Sequence, residues 1–253
     1  MRAKPRAKSS QQIGKNKASS HKPRPKSGPP LSFASFVPAS GLALSSGNGD
    51  STHRIFLLSP ANAGGRRASY VVRDTAEFNL ARRLREEGVQ LGEIFSFISG
   101  LYFRGKLAYA KAFARPPADV PGVLVITACG GLLEPHTIMT REKLLSISSG
   151  PVHHNEARFR EPLERDAQSL AAKLPRDCEI ILLGSVATPK YIEPLMGIWG
   201  ERLMFPAEFA GRGDMSRGGL MLRCVQDGLQ LKYVPVATAP LHGPKPAKLP
   251  QMR

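Results

Sequence analysis

The chain has 253 residues and a formal net charge of +16, with 36 lysine and arginine residues against 20 aspartate and glutamate residues. Its three cysteines are widely spaced and form no CxxC pair, which argues against a disulfide framework and indicates a reducing compartment. No stretch approaches the roughly 18 to 20 consecutive apolar residues that a membrane span needs. We therefore expect a cytoplasmic protein without a membrane span.

The positive charge is concentrated at the ends of the chain. Residues 1–30 contain nine basic residues and no acidic one, and residues 31–52 are rich in Ser, Gly, Ala and Pro. Such segments bury too little apolar surface to offset the entropy lost on ordering. We predict a disordered basic tail and linker over 1–52, one α/β domain over 53–237, and a Pro- and Lys-rich extension over 238–253. The tail is expected to attract nucleic acid by counterion release, although a solubilising or targeting tail has the same composition.

Apolar patterning in the central region predicts strands that alternate with helices. The predicted strands are 54–58, 122–127, 179–184, 203–205 and, at an edge, 231–235. The predicted helices are about 76–87, 91–115 with a break at Gly100, 140–147, 160–174, 190–199, and one from Asp214 or Ser216 to about 227. Right-handed crossovers then give a three-layer α/β fold, a mainly parallel sheet with helices on both faces.

Two details of this prediction concern helix starts. Asp74 or Thr75 is expected to cap the helix at 76–87, with Phe78 facing inward. Thr140 is expected to cap the helix that follows it.

Ligands of parallel α/β sheets bind beyond the carboxyl ends of the strands. That rule nominates the segments 59–67, 127–132, 184–190 and 206–219. Residues 209–219 combine glycines, which allow close approach, with arginines, which bind anions through two hydrogen bonds. A helix that begins near Ser216 would add free N–H groups. We predict a phosphate or sugar-phosphate site that includes Arg212, Gly213, Ser216, Arg217 and Gly218, with Asp214 as the candidate to activate water. The alternative is structural: Asp214 caps the helix after a glycine turn, and the segment binds no ligand.

Further candidate ligand residues lie in the other segments. They are Asn62, Arg66, Arg67, Gly130, Gly131, Ser185 and Lys190. The loop at 61–67 is a candidate anion loop, but it lacks the GxxxxGK[ST] and GxGxxG patterns, and the composition favours the alternative, an ordinary surface turn. Arg104 and Lys106 accompany Tyr102 and Phe103, a combination that suits base stacking and phosphate contacts. The alternative is that both aromatic residues belong to the core and both cations are solvated.

The sequence predicts no cofactor and no metal site. Cys129 follows a strand, where nucleophiles often lie, but a catalytic thiol needs a neighbouring base. His136, His153 and His154 are the available bases, and their spacing is not that of zinc ligands. A buried, inert Cys129 is the alternative.

Two stretches resemble an uncharacterised bacterial family akin to the YaaA-type peroxide-stress proteins, and more distantly the uracil-DNA-glycosylase-like fold. The first comprises Ser99–Phe103 with Lys106 and 108–110, followed by Val125–Ala128, Gly131–Leu133 and Pro135. The second comprises Gly184–Ser185, Lys190–Tyr191 and Phe205–Pro206. The chain departs from that family at Cys129–Gly130, where the family has Lys and an aromatic residue, and at His136, where it has Asp. The resemblance implies a three-layer α/β protein linked to DNA or nucleobases, in damage response or base modification.

Two functional hypotheses follow, and a purely structural adaptor is a third. The first is a nucleic-acid-associated protein, DNA being the expected partner, that acts on a nucleobase or a glycosidic bond. The second is an enzyme or sensor for a free nucleotide or sugar phosphate, with the basic tail incidental. The sequence does not decide whether the chain is an enzyme.

Overall fold

The structure, a computed structural model, describes residues 53–240, 243–244, 246–247 and 249. The predicted tail and linker at 1–52 lie outside the described residues, as does part of the C-terminal extension. Within the described part, no helix has both the length and the apolar composition needed to cross a membrane.

A six-stranded sheet with the order β4-β3-β1-β6-β7-β8 forms the centre of the domain. The strands of the described chain are β1 (Arg54–Leu58), β2 (Val89–Gln90), β3 (Val123–Ile126), β4 (Leu132–Leu133), β5 (Ile138–Met139), β6 (Glu179–Leu183), β7 (Leu203–Pro206) and β8 (Tyr233–Pro235). The four central strands β3, β1, β6 and β7 are parallel, and β4 and β8 pair antiparallel at the edges. β2 and β5 form a separate antiparallel pair. The side chains of Ile55–Leu58 and Ile180–Leu183 are fully buried, which explains why these strands are continuous apolar runs.

Helices cover both faces of this sheet. They are α1 (Arg66–Val71), α2 (Asn79–Glu86), α3 (Leu91–Ser99), α4 (Leu101–Phe113), α5 (Arg141–Ser148), α6 (Ala157–Ala171), α7 (Pro189–Trp199) and α8 (Asp214–Asp227). The connection from β1 to β3 runs one way along the sheet, and those from β3 to β6 and β6 to β7 run the other way. Right-handed crossovers in opposite directions place their helices on opposite faces. The predicted fold, one α/β domain with a mainly parallel sheet, is confirmed.

The helices α4 and α8 are in backbone contact through two glycines. A Cβ atom at Gly105 would lie 2.6 Å from the carbonyl oxygen of Gly218, and one at Gly218 would lie 2.8 Å from that of Leu101. Only glycines permit this approach. It fixes the first turns of α4 beside the start of α8. Gly100, with φ of 60°, separates α3 from α4 as predicted.

The structure corrects the first predicted helix. α2 begins at Asn79 with Phe78 as its N-cap residue, so Asp74 and Thr75 lie upstream and cap nothing. Phe78 is 38% exposed and stacks on Phe97 at 5.4 Å, so its predicted inward position is wrong. The pattern predicts Phe78 in the first turn of a helix that it actually precedes.

Other helix starts give mixed outcomes. The predicted cap by Thr140 is confirmed, because its side chain accepts a hydrogen bond from the N–H of Lys143. Gly213 is the N-cap of α8, and Asp214 is the first helical residue with no capping hydrogen bond, so neither Asp214 nor Ser216 caps that helix. α1 begins at Arg66, inside the segment predicted to be loop. The short strands β2, β4 and β5 were not predicted because a segment of two residues is too short to show a periodicity.

Candidate functional site

A cleft of about 660 Å³ lies at the carboxyl edge of the parallel strands. β1 and β6 are neighbours, yet the chain leaves β1 toward β3 and leaves β6 toward β7, on the opposite side. This is the topological switch point where open α/β sheets form a crevice. Each of the four segments nominated from the sequence contributes to the lining, through 59–64, Ala128, Ser185 with Lys190, and Asp214. The volume is within the range of small-ligand sites.

Ser59 and Lys106 form a hydrogen-bonded pair at the cleft. Ser59 is the first residue after β1 and lines the cleft, while Lys106 lies on α4. The Lys106 Nζ atom is 2.8 Å from Ser59 Oγ and 2.5 Å from the Ser59 carbonyl oxygen. The amine therefore meets both the side chain and the backbone of one residue at the end of β1.

Lys106 is almost fully buried, with 1% of its surface exposed. It makes no ion pair within the described residues. Its Nζ atom instead lies 4.5 Å from the ring centre of Tyr102 and 5.0 Å from that of Phe103. The pKa of Lys106 is lowered to about 7, chiefly by burial; the charge of Asp214 opposes this, and the nearby cations Lys190 and Arg217 contribute to it. Near neutral pH this amine therefore exists in both protonation states.

The Tyr102 hydroxyl is the second unusual group. It is buried, the residue lines the cleft, and the hydroxyl has no hydrogen-bond partner in the described part of the chain. The other buried side-chain atoms without a partner there belong to His154, Trp199 and Glu208, none of which lines the cleft. Burial raises the pKa of Tyr102 to about 12, with a smaller contribution from the charge of Asp214. The Arg217 guanidinium opposes this, since it lies near the hydroxyl, although not in the geometry of a hydrogen bond. A buried hydroxyl without a partner costs about 1–3 kcal/mol, so a ligand that bonds to it relieves that cost.

Two charged side chains at the cleft lack an ion-pair partner among the described residues. Lys190 lies in the first turn of α7 with its Nζ atom 5.0 Å from the Tyr191 ring centre, and Asp214 begins α8. Both line the cleft. The site thus offers one free cation and one free carboxylate to a polar ligand.

The loop after β1 supplies backbone donors. The side chain of Asn62 accepts a hydrogen bond from the N–H of Gly64 at 3.1 Å, and its carbonyl accepts one from Gly65 at 3.2 Å. These two bonds hold a tight turn. The N–H groups of residues 61–63 donate to no protein acceptor within the described chain, so they are available to an anion.

Of the ligand residues predicted from the sequence, Asn62, Ser185 and Lys190 line the cleft together with Asp214. Lys106 lies behind Ser59 and is buried, so the expectation of a solvated lysine is wrong. Tyr102 and Phe103 are core residues, as their alternative interpretation stated. Arg66, Arg67 and Arg104 are exposed and do not line the cleft.

The arginines of the glycine-rich segment donate to the protein itself. Arg212 donates to the Glu208 carbonyl at 3.0 Å and to Ser216 Oγ at 3.2 Å. Arg217 donates to the Phe209 carbonyl at 3.0 Å and lies over the Phe209 ring. Arg212, Gly213 and Ser216 line a separate groove of about 500 Å³, and Gly218 packs on α4. These residues hold the start of α8, which carries Asp214 into the cleft.

Cys129 and the turn that follows it do not form a catalytic thiol site. The N–H of Gly130 donates to Thr127 Oγ1 at 2.9 Å, and Gly131 has φ of 65°, so both glycines shape a turn. Cys129 is half-buried, with its sulfur 4.0 Å from Ser149 Oγ. No ring of a described histidine contacts this thiol; His136 faces Glu134 at 3.5 Å and His154 faces Glu193 at 3.4 Å. Within the described chain, no group of three or more His, Cys, Asp or Glu residues is arranged to hold a metal ion.

Sequence reasoning missed Ser59 and Tyr191 as site residues. The rule for sheet edges nominated the segment that begins at Ser59, but no pattern distinguishes this serine from the loop around it. Its pairing with Lys106 joins positions separated by 47 residues and depends on how α4 packs against β1.

Comparisons of the chain with protein-family models, curated proteins and solved structures found no match. Its function is therefore argued from the chemistry of the cleft.

Proposed function

We propose that the chain is an enzyme whose cleft binds a nucleotide or a sugar phosphate. The observation that carries the proposal is the convergence, in one cleft, of the free cation Lys190, the free carboxylate Asp214 and the buried, unpartnered hydroxyl of Tyr102. The unpaired Tyr102 hydroxyl costs free energy. Lys190 and Asp214 can form charge-assisted hydrogen bonds with a polar ligand. A ligand that carries an anion and several hydroxyl groups satisfies all three.

The residues that line the cleft suit both the phosphate group and the sugar or base of such a ligand. Lys190, the N-terminal turn of α7 and the free N–H groups after β1 favour a phosphate. Asp214 is suited to accept hydrogen bonds from sugar hydroxyls. Phe95 and Tyr191 supply aromatic surface for a base or for the apolar face of a sugar. The volume of about 660 Å³ suits one mononucleotide and is too small for a duplex.

Thermal unfolding with a ligand panel tests this proposal. The panel comprises nucleoside monophosphates, the matching nucleosides and bases, ribose 5-phosphate, glucose 6-phosphate and inorganic phosphate. We expect a phosphorylated member at 100 times its Kd to stabilise the chain by about 2.7 kcal/mol. Lys190→Met is expected to weaken phosphate-bearing ligands by about tenfold or more, the loss of one charge-assisted contact.

The matched control is Lys173→Met, which removes an exposed lysine just beyond α6 and away from the cleft. It should leave ligand affinity unchanged. If no phosphorylated compound raises the melting temperature, or if Lys173→Met and Lys190→Met weaken binding equally, the proposed ligand class is wrong.

A second function, association with nucleic acid, is favoured by a separate surface. Arg66 and Arg67 on α1 and Arg82 on α2 are exposed and make no ion pair within the described chain. Exposed aromatic rings, Tyr70 and Phe78, accompany them. Cations interleaved with exposed aromatic faces suit single-stranded nucleic acid. Residues 1–30, with nine basic residues and no acid, would add non-specific affinity.

Fluorescence anisotropy with single-stranded and duplex oligonucleotides tests this second function. The full chain, a chain beginning at residue 51, and a full chain carrying Arg66→Ser, Arg67→Ser and Arg82→Ser are titrated at several salt concentrations. If the surface binds nucleic acid, the triple substitution lowers the salt slope by about 2 to 3, roughly one per phosphate contact. If only removal of residues 1–50 changes binding, the domain surface has no such role.

A further inference from the structure

We propose that Ser59 is a nucleophile, that Lys106 is its general base, and that the pair transfers the phosphoryl group of a phosphate monoester to water through a phosphoserine. This inference rests on the proposed function for its substrate class, because the phosphate ester is the ligand of the same cleft. It adds the reaction and the residues that perform it.

The geometry of the pair is that of a nucleophile and its base. Lys106 Nζ lies 2.8 Å from Ser59 Oγ, inside the hydrogen-bond distance at which a proton is transferred. The second bond, from Nζ to the Ser59 carbonyl at 2.5 Å, uses one amine proton and fixes the amine beside the hydroxyl. A neutral amine can donate to the carbonyl and still accept the Ser59 proton with its lone pair.

The surroundings favour a neutral amine. Lys106 is 1% exposed, lies against the Tyr102 and Phe103 rings, and forms no ion pair in the described chain. The charge of Asp214 favours the protonated amine, but burial outweighs it. Burial is the main reason that its pKa falls to about 7. A protonated lysine could make the same two hydrogen bonds to Ser59, so a purely structural role does not require a neutral amine. Ordinary lysines remain protonated at neutral pH and cannot act as a base.

Ser59 is mostly buried, with 7% of its surface exposed, and stands at the wall of the cleft. It lines the cleft, and Gly184 beside it leaves room, since a Cβ atom there would lie 3.2 Å from Ser59 Cβ. Residues 61–63, which follow Ser59 after Pro60, line the same cleft, and their N–H groups have no protein acceptor in the described chain, so they are candidate donors for the phosphoryl oxygens. Lys190, in the same cleft, is a counter-charge for them.

The reaction proceeds in two balanced steps. Ser59 Oγ forms a bond to phosphorus as the bond from phosphorus to the ester oxygen breaks, and the Ser59 proton passes to Lys106. The departing oxygen, in line on the far side, takes a proton from water. A water molecule then attacks the phosphoserine from that side and loses a proton to solvent. Ser59 Oγ leaves and takes back its proton from Lys106, so the sum is one ester and one water converted to one alcohol and one phosphate.

A fluorophosphonate probe tests the nucleophile without any knowledge of the natural ligand. It is incubated with the full chain, and the modified peptide is located by mass spectrometry. We expect Ser59 to be labelled, with a rate that rises as the pH passes through about 7 and then levels off, because the neutral amine is the reactive form. Lys106→Met should slow labelling by about 100-fold or more and remove this pH dependence.

The matched controls are Lys111→Met, an exposed lysine on the same helix, and Ser169→Ala, an exposed serine on α6. Both variants should be labelled at Ser59 at the same rate as the unchanged chain. Ser59→Ala should not be labelled at this position. Urea unfolding of Lys106→Met shows whether slower labelling reflects an unfolded protein.

A second probe, p-nitrophenyl phosphate, tests the phosphoryl step. Rapid acid quenching should yield a chain phosphorylated on Ser59. Labelling of Ser59 without any stabilisation by the phosphorylated panel supports the nucleophile and contradicts the proposed ligand class. Nucleotide binding with no labelling and no phosphorylation of Ser59, or labelling that is unchanged in folded Lys106→Met, overturns the present inference while the proposed ligand class stands.

Discussion

The stability of the chain should respond to pH through Lys106, and replacement by methionine should remove that response. In the folded chain, burial lowers the pKa of Lys106 from 10.5 to about 7. The unfolded chain retains a pKa of about 10.4 for this lysine. Between these values the unfolded state binds one proton more than the folded state. Stability therefore rises with pH across this window by about 1.4 kcal/mol per pH unit, and the cost of burying the charge is fully present below pH 7.

The magnitude follows from the width of the window. A shift of about 3.5 units, from 10.5 to about 7, corresponds to a cost of about 5 kcal/mol at low pH. Lys106→Met keeps a similar length without charge, so it avoids this cost, but it leaves the Ser59 carbonyl unpaired at about 1–3 kcal/mol. That second loss does not depend on pH. The change in the stability difference between pH 7 and pH 9, about 2 to 3 kcal/mol, therefore isolates the buried charge.

Urea unfolding of the full chain, of Lys106→Met and of the control Lys111→Met, at several values between pH 6 and 9, measures this quantity. The methionine variant should gain stability relative to the unchanged chain as the pH falls. Lys111 is exposed in the last turn of α4, so its variant should follow the unchanged chain at every pH. Parallel curves for the Lys106→Met variant and the unchanged chain would refute the claim that the lysine is buried at the cost of its charge.

Three further substitutions test the packing that supports the cleft, each by urea unfolding. Gly105→Ala places a Cβ atom 2.6 Å from the Gly218 carbonyl oxygen and should destabilise the chain by about 1–3 kcal/mol; an unchanged midpoint would show that α4 and α8 are not in backbone contact. Gly197→Ala, in a helix position with nothing within 4 Å, should instead stabilise by about 0.5–1 kcal/mol, and a loss there would mean that α7 is packed differently. Tyr109→Phe removes the acceptor of the Leu231 N–H and should cost about 1–3 kcal/mol, whereas a neutral result would mean that water replaces this bond.

The fold was largely predictable because its signals are local. The strands at the centre of the sheet are continuous apolar runs, and Gly100 marks a helix break that needs a positive φ. Phe78 shows where local pattern fails. Phe78 lies three residues before the buried Ala81, which is a helical spacing, but α2 begins after Phe78, and its ring stacks on Phe97 at the surface. A hydrophobic pattern cannot state at which residue a helix starts.

The candidate site was only partly predictable because its side chains act across long sequence distances. The sheet-edge rule found the segments, and Asn62, Ser185, Lys190 and Asp214 lie in the cleft. Arginines near glycines suggested an anion site, but Arg212 and Arg217 donate to backbone carbonyls of the loop that precedes α8. The composition of a segment does not show whether its arginines bind a ligand or another part of the protein.

Two residues at the cleft depart from the usual rules of packing. Lys106 is a buried lysine without a carboxylate, and Tyr102 is a buried hydroxyl without a partner; both conditions reduce stability. Elsewhere in the described chain, the buried core is almost entirely apolar, with only Ser59 and Thr127 as further buried polar residues. Ser59 is the residue that Lys106 contacts. Departures of this kind are expected where function constrains a fold, and here two of them, Lys106 and Tyr102, lie at the topological switch point of the sheet. Residues that reduce the stability of the fold thus lie where a ligand would bind, and this favours a functional role for Lys106 and Ser59.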